Sequence, residues 1–211
     1  MSSKKVPVSV YIDGFNMYHA LDKIGDSSIK WINYWKLSES FLRASEFLQA
    51  VHLFTSLTPW DSGKRARHQT FIAAQKAMGV QVKEAKFKKN RRHCRTENRR
   101  CKFWEEKEND VAITVTMLAD AFAKRTKRIV LVTADTDQIP AVKYLIADFP
   151  NIELTLAIPP GRKNEARDLG ELFNFSPTEI TPGRIKACLL PQTIFLDNGA
   201  SISMPETYAT A

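Results

Sequence analysis

Residues Ile129-Val130-Leu131-Val132 form an unbroken apolar run with no polar alternation, and two carboxylates, Asp135 and Asp137, follow almost at once. A short run of this kind reads as a strand buried on both faces, as in a parallel sheet covered by helices. Helix-like spacing resumes with Ile139, Val142, Tyr144, Leu145 and Ile146. The stretch Arg128 to Pro140 therefore puts two acids where a parallel strand gives way to a helix, the place where open α/β sheets bind their ligands. Helix capping accounts for the same acids about equally well, because Asp and Thr are favoured N-caps and an acid suits the first turn. Further acids in the same kind of place would decide between the two.

The rest of the chain repeats the pattern. Val6 to Ile12 is a second apolar run and ends at Asp13-Gly14, with helix-like spacing from Phe15 to Leu21. Trp31 to Leu48 reads as one or two helices with Asn33 or Ser38 as caps, and Val51 to Leu57 as a strand. Arg65 to Met78 reads as a helix stopped by Gly79. Val80 to Phe87 alternates well enough for a third strand, at an edge where its lysines are tolerated. Glu105 to Lys124 reads as one long helix, with acids at its start and Lys124 and Arg125 at its end. On this reading Glu106 and Asp110 share a face. Ile152 to Ile158 is a fifth strand and Asn164 to Leu172 a short helix. Strands alternating with helices give an α/β domain with right-handed crossovers over residues 1–180, and 181–211 read as an extended tail on the surface or partly disordered.

Charge is concentrated in one place. The chain of 211 residues has a net charge of +8, and the segment from Lys83 to Lys102 carries all of that excess, so the remainder is neutral. Such a block reads as a polyanion contact, most often nucleic acid, and without clear periodicity it reads as a loop or mobile insertion. A solvated loop with no partner is the plainer alternative. Lys88, Lys89, Arg91, Arg92, Arg95, Arg99 and Arg100 are the substrate-binding candidates it supplies, with RNA, or DNA, as the partner. Arg162 and Lys163, after the fifth strand, are further candidates for holding phosphate, although a solvated Pro-Gly turn explains them as well. His93, Cys94 and Cys101 lie in the same block, but the spacing of the cysteines is not standard for zinc. Three cysteines in all point away from a disulfide scaffold and toward a reducing, cytoplasmic setting. The apolar run after Lys4 and Lys5 is broken by Asp13, too early for a signal peptide, and no segment reaches membrane-spanning length.

Asp13 ends the first strand and Asp110 stands near the start of the long helix, so four acids, Asp13, Asp110, Asp135 and Asp137, are placed to converge if the first strand and the Ile129 strand are neighbours. Carboxylates in one cleft repel, and burial worsens the repulsion, so the site calls for a cation or protons. Oxygen ligands without His or thiolate suit Mg²⁺ or Mn²⁺. Such an ion activates water and stabilises the leaving oxygen of a phosphodiester.

Tyr11-Ile12-Asp13-Gly14-Phe15-Asn16, then Glu106-Lys107-Glu108-Asn109-Asp110-Val111, then Val132-Thr133-Ala134-Asp135-Thr136-Asp137 resemble, in order and spacing, the NYN domain of the LabA-like (DUF88) group, which has a PIN-like nuclease fold. The resemblance runs from about Val6 to Ile180. It implies a single Rossmann-like domain with a five-stranded parallel sheet ordered 3-2-1-4-5. It also implies a divalent-metal ribonuclease whose acids are Asp13, Asp110, Asp135 and Asp137, with Asn16 and Thr133 as supporting polar groups. The chain departs from the family in having Glu108-Asn109 for Gly-Val, Thr133-Ala134 for Ser-Gly, and Gln138 where an aromatic is common. The acids survive all three changes. Beside a metal-dependent endoribonuclease stand two other readings, a non-catalytic RNA-binding or regulatory module and a metal-dependent phosphatase or nucleotidase. A homodimer is left open.

Overall fold

The computed structural model describes the backbone of residues 5–94 and 99–209, and the side chains of those residues other than Lys86 and 90–107. In chain order the elements are β1 (Val6–Asp13), α1 (Gly14–Ile24), a 3₁₀ turn (Ser27–Trp31), α2 (Tyr34–Glu39), β2 (Glu46–Ser56), α3 (Ser62–Ala77), β3 (Gln81–Cys94) and β4 (Arg99–Lys107). Then come α4 (Asn109–Phe122), β5 (Arg128–Val132), a 3₁₀ turn (Thr136–Gln138), α5 (Ile139–Asp148), β6 (Glu153–Ile158), α6 (Arg167–Gly170), β7 (Thr178–Glu179), α7 (Pro182–Lys186), β8 (Thr193–Phe195) and β9 (Ser201–Ser203). Among the described residues the main sheet has the order β4-β3-β2-β1-β5-β6-β7. All neighbours are parallel except β3 and β4. The expected 3-2-1-4-5 arrangement is thus its centre, β3-β2-β1-β5-β6. The two-residue β7 makes a sixth parallel strand, and β4 adds an antiparallel edge.

The apolar runs at β1 and β5 lack alternation because each strand serves two cores. Val8, Val10 and Ile12 of β1, with Val130 and Val132 of β5, face a core shared with α1, α2 and α3. Tyr11, Ile129 and Leu131 face the opposite core, against α4, α5 and α6. Since successive strand side chains point to opposite faces, burial on both sides favours apolar residues at consecutive positions. Ser9, whose amide donates to Thr126 Oγ1, and Arg128, which pairs with Glu46, are buried polar exceptions.

Three expectations change. The basic segment is not a loop: β3 and β4 pair in an antiparallel hairpin from Lys86 opposite Lys107 to Cys94 opposite Arg99. Cationic side chains obscure the alternation by which a strand is recognised, and the backbone pairing is indifferent to them. The long helix does not begin at Glu105, because β4 continues to Lys107 and α4 starts at Asn109. Glu106 and Asp110 therefore do not share a helix face. The tail beyond Thr181 is folded, since Ile185, Cys188, Leu190 and Ile194 enter the α1-side core, and Trp31 Nε1 donates to the Pro191 carbonyl at 2.9 Å. Its elements are too short to show a period.

α4 is tied down by polar contacts. Tyr11 Oη donates to Asp120 Oδ2 at 2.6 Å, Arg125 Nε donates to Asp120 Oδ1 at 2.7 Å, and Lys83 Nζ donates to Thr116 Oγ1 at 2.7 Å. Burial alone would raise the Asp120 carboxyl, but the hydrogen bonds from Tyr11 and Arg125 outweigh it and hold the group below its ordinary range. These bonds fix the helix that carries Asp110 against β1, which carries Asp13.

Gly14 is required for close approach. A Cβ there would stand 2.6 Å from the Phe54 carbonyl oxygen and 2.9 Å from Leu53 Cδ1 in β2. Gly14→Ala is expected to destabilise the protein by about 1–3 kcal/mol, read as a fall in melting temperature, because the nearest obstacle is backbone that cannot rotate away.

Candidate metal centre

The carboxyl ends of β1 and β5 lie side by side in the sheet, with Ile12 in register with Val132. Each strand ends on an acid (Asp13 in β1) or is closely followed by one (Asp135 after β5), and that acid caps the next helical turn. Asp13 Oδ1 accepts from the Asn16 amide at 3.0 Å, and Asp135 Oδ1 accepts from the Asp137 amide at 2.9 Å. Capping, one of the two alternatives in the sequence, is realised, and it leaves the second carboxylate oxygen open to other partners, because a cap needs one. The cap of the second turn is Asp135 and not Thr136.

Thr133 joins the two strands. Its buried hydroxyl donates to Asp13 Oδ2 at 2.9 Å and accepts from the Asp135 amide at 3.0 Å. The Asn16 side-chain oxygen accepts from the Ala134 amide at 3.3 Å, so α1 is pinned to the loop after β5. Asn16 thus helps place Asp13 through its backbone and the β5 loop through its side chain.

Asp110 arrives from the first turn of α4, and Asp13, Asp110 and Asp135 each offer a carboxylate oxygen within 4.8 Å of the others. Asp13 is buried and the other two are half-buried. Partial burial raises the Asp110 carboxyl above its ordinary range, and the charges of Asp135 and Asp137 raise it further. Three hard oxygen donors from three segments are a set that fits a divalent cation such as Mg²⁺ or Mn²⁺. Asp137, expected as a fourth ligand, is exposed and outside this group. It is near enough to act on Asp110 through its charge.

Gln138, singled out in the sequence only as a departure from the family pattern, is fully buried behind Asp110. Its Nε2 donates to Asp110 Oδ1 at 3.4 Å and to the Asp110 carbonyl at 3.5 Å, while its Oε1 accepts from Thr114 Oγ1 at 3.3 Å. These long contacts orient the carboxylate from the side away from the cleft. Gln138→Leu is expected to weaken Mn²⁺ binding about tenfold, measured by titration calorimetry. No signal in the sequence links Gln138 to a helix 28 positions upstream.

The remaining candidates divide. Lys88 and Lys89 are exposed on β3, and Lys163 is exposed beyond β6. Arg162 is half-buried, lies 3.9 Å from Glu165, and is close enough to His19 of α1 to help lower its pKa, an effect that burial of the ring leads. The side chains of Arg91, Arg92, Arg95, Arg99 and Arg100, and of the zinc candidates His93, Cys94 and Cys101, lie outside the described residues. No helix among the described residues is long and apolar enough to cross a membrane.

The chain is 25% identical over 194 residues to 6-hydroxy-3-succinoylpyridine 3-monooxygenase HspA of Pseudomonas putida, an alignment covering 90% of this chain and 60% of that protein. A crystal structure of a Vibrio parahaemolyticus protein of unknown function, VPA0982, superposes with a TM-score of 0.56 at 16% identity, covering 90% of this chain and 99% of the other. Residues 7–170 match the NYN domain, a span that holds all three clustered acids together with Asn16, Thr133 and Gln138, so the chain belongs to the NYN domain family of the PIN-like nuclease superfamily.

Proposed function

We propose that this protein is a divalent-metal-dependent endoribonuclease. The observation that carries the reading is the convergence of Asp13, Asp110 and Asp135 at the carboxyl end of a parallel sheet, in a family of nuclease fold. Mg²⁺ or Mn²⁺, when bound, supplies an activated water and neutralises charge on the phosphodiester. The three acids hold the ion, Thr133 and Asn16 keep Asp13 and Asp135 in register, and Gln138 fixes Asp110. Asp137 adds negative charge at the rim. Lys88 and Lys89 begin the cationic hairpin that meets the RNA backbone, and Arg162 and Lys163 are further candidates for holding phosphate. Because β4 runs into α4 through Glu108, strand capture is joined covalently to the helix that carries Asp110.

The test is cleavage of end-labelled single-stranded RNA in Mn²⁺ or Mg²⁺ against the same reaction in chelator. Internal cuts that vanish on chelation support the reading. Tight, salt-sensitive RNA binding with no product under any divalent ion would instead mark a non-catalytic binding module. Turnover of a free nucleotide that survives deletion of residues 88–100 would mark a phosphatase. The Pseudomonas putida relative is named for a different chemistry, and 6-hydroxy-3-succinoylpyridine is the control substrate for it. An all-carboxylate donor set favours a hard cation over the two-His, one-carboxylate arrangement of non-haem iron oxygenases.

A further inference from the structure

Three aromatic rings from three separate elements meet at the edge of the sheet that carries Asp13. Phe15 stands in the first turn of α1, Trp60 in the loop after β2, and Phe87 on β3 as it leaves the core. Trp60 and Phe87 are 5.0 Å apart between ring centres at 73°, and Phe15 and Phe87 are 6.4 Å apart at 63°. Phe15 also meets His19 edge-on at 4.4 Å. Trp60 is 53% exposed and Phe15 is 41% exposed. Single exposed aromatics are ordinary on a protein surface and need no explanation. A contiguous set assembled from distant segments is different, because each ring gives up burial that the nearby core could have provided. Among the described residues these rings meet edge to face and are not stacked.

Cations outnumber acids around the set, with Asp61 beside Trp60 and Asp22 near His19 as the acids. Lys88 and Lys89 continue β3 past Phe87, and both are exposed. Lys64 and Arg65 follow Trp60 into α3, beyond the Asp61 cap, and Lys64 and Arg162 are both close enough to His19 to lower its pKa alongside the burial of the ring. Cations in the first turn of a helix oppose its dipole, a conflict that an added anion relieves. Aromatic faces beside backbone-binding cations are how proteins hold single-stranded nucleic acid, since every base offers a face and every linkage a charge. A duplex hides those faces within its stack.

We propose that Phe15, Trp60 and Phe87 form a stacking rail that takes the unpaired bases of a single-stranded RNA on the β1-to-β3 side of the three acids. The rail makes the protein selective for unpaired RNA and sets the strand's path into the acid cleft. It rests on the ribonuclease reading for the identity of its substrate, and its test reads binding alone.

The experiment measures fluorescence anisotropy of the full chain in chelator with three labelled probes of about ten nucleotides. These are oligouridine, a matched abasic ribose-phosphate strand, and an RNA duplex. Wild type is expected to bind oligouridine at least about tenfold more tightly than the abasic strand, and Trp60→Leu or Phe15→Leu to lose about tenfold for oligouridine alone. Trp60→Phe and Phe15→Tyr, which keep a ring, are expected to restore most of it. Equal affinity of wild type for the base-bearing and abasic strands overturns the rail, as does an equal loss on all three probes or undiminished oligouridine binding by both Leu variants. Cleavage without base preference overturns the rail and spares the nuclease reading. Base preference without cleavage does the reverse.

Discussion

Replacing Asp135 by Asn is expected, under the proposed function, to lower metal-dependent RNA cleavage by about a thousandfold while leaving the fold intact, because the acids would supply several kcal/mol of transition-state charge stabilisation through the ion they would hold. This substitution isolates charge. Asp135 Oδ1 caps the turn over Thr136–Gln138 through the Asp137 amide, and Asn is as good a cap as Asp. The bond from Thr133 reaches the Asp135 backbone amide and is untouched. Removing one charge also relieves repulsion on Asp110, so stability should hold or rise slightly. Asp13→Asn is a poorer probe. The buried Asp13 accepts from the Asn16 amide on one oxygen and from Thr133 on the other, and an amide cannot accept on both. Single-turnover cleavage, with melting curves as the control, measures the effect, and an Asp135→Asn protein as active as wild type would remove the acids from the chemistry.

The second large effect is on stability and comes from the first residue of β5. Arg128 and Glu46 are each buried to 3% side-chain exposure and form a two-pronged pair, Nε to Oε1 at 2.9 Å and Nη2 to Oε2 at 2.7 Å. The guanidinium also donates to the Phe41 carbonyl at 2.8 Å and to Thr155 Oγ1 at 3.2 Å, joining β5 to the start of β2 and to β6. Arg128→Met should cost about 3–5 kcal/mol, since it strands a buried carboxylate, and lower the melting temperature by on the order of 10 °C. Adding Glu46→Met should recover most of the loss, and a single-variant cost under about 1 kcal/mol would contradict the account. The pair is also acid-sensitive. Burial alone would raise Glu46, but hydrogen bonds from Arg128 and from the Arg43 amide hold it below its ordinary range. A carboxyl depressed on folding contributes fully above its unfolded pKa, about 4.3, and that contribution is lost as pH falls through the lower folded value.

These two results separate what the sequence discloses from what it conceals. β1 and β5 were legible because burial on both faces selects runs of apolar residues, and their acids because each follows such a run closely. The hairpin was not, because Lys88, Lys89 and their neighbours mask the period while backbone pairing holds the strands. The same hairpin concealed the true start of α4, since Glu105 and Glu106 look like a helix's acidic first turn and belong to β4. Gln138 and Arg128 owe their roles to partners 28 and 82 positions away, which no local pattern reports. Asp137 shows the limit of spacing as evidence. It lies two residues from Asp135 yet faces solvent, because the turn that Asp135 caps carries it out of the cleft.

The place of β5, seated between β1 and β6 though made after β2, β3 and β4, bears on when the protein becomes active. A nascent chain emerging from the ribosome exposes Asp13 and Asp110 well before Asp135, and its cationic hairpin is out before the acid set is whole. Until β5 inserts beside β1, the chain has only two of the three acids in hand. Under the proposed function, RNA cleavage therefore waits on the pairing of β5 with β1, and the cationic hairpin is made before the acid cluster it serves is complete.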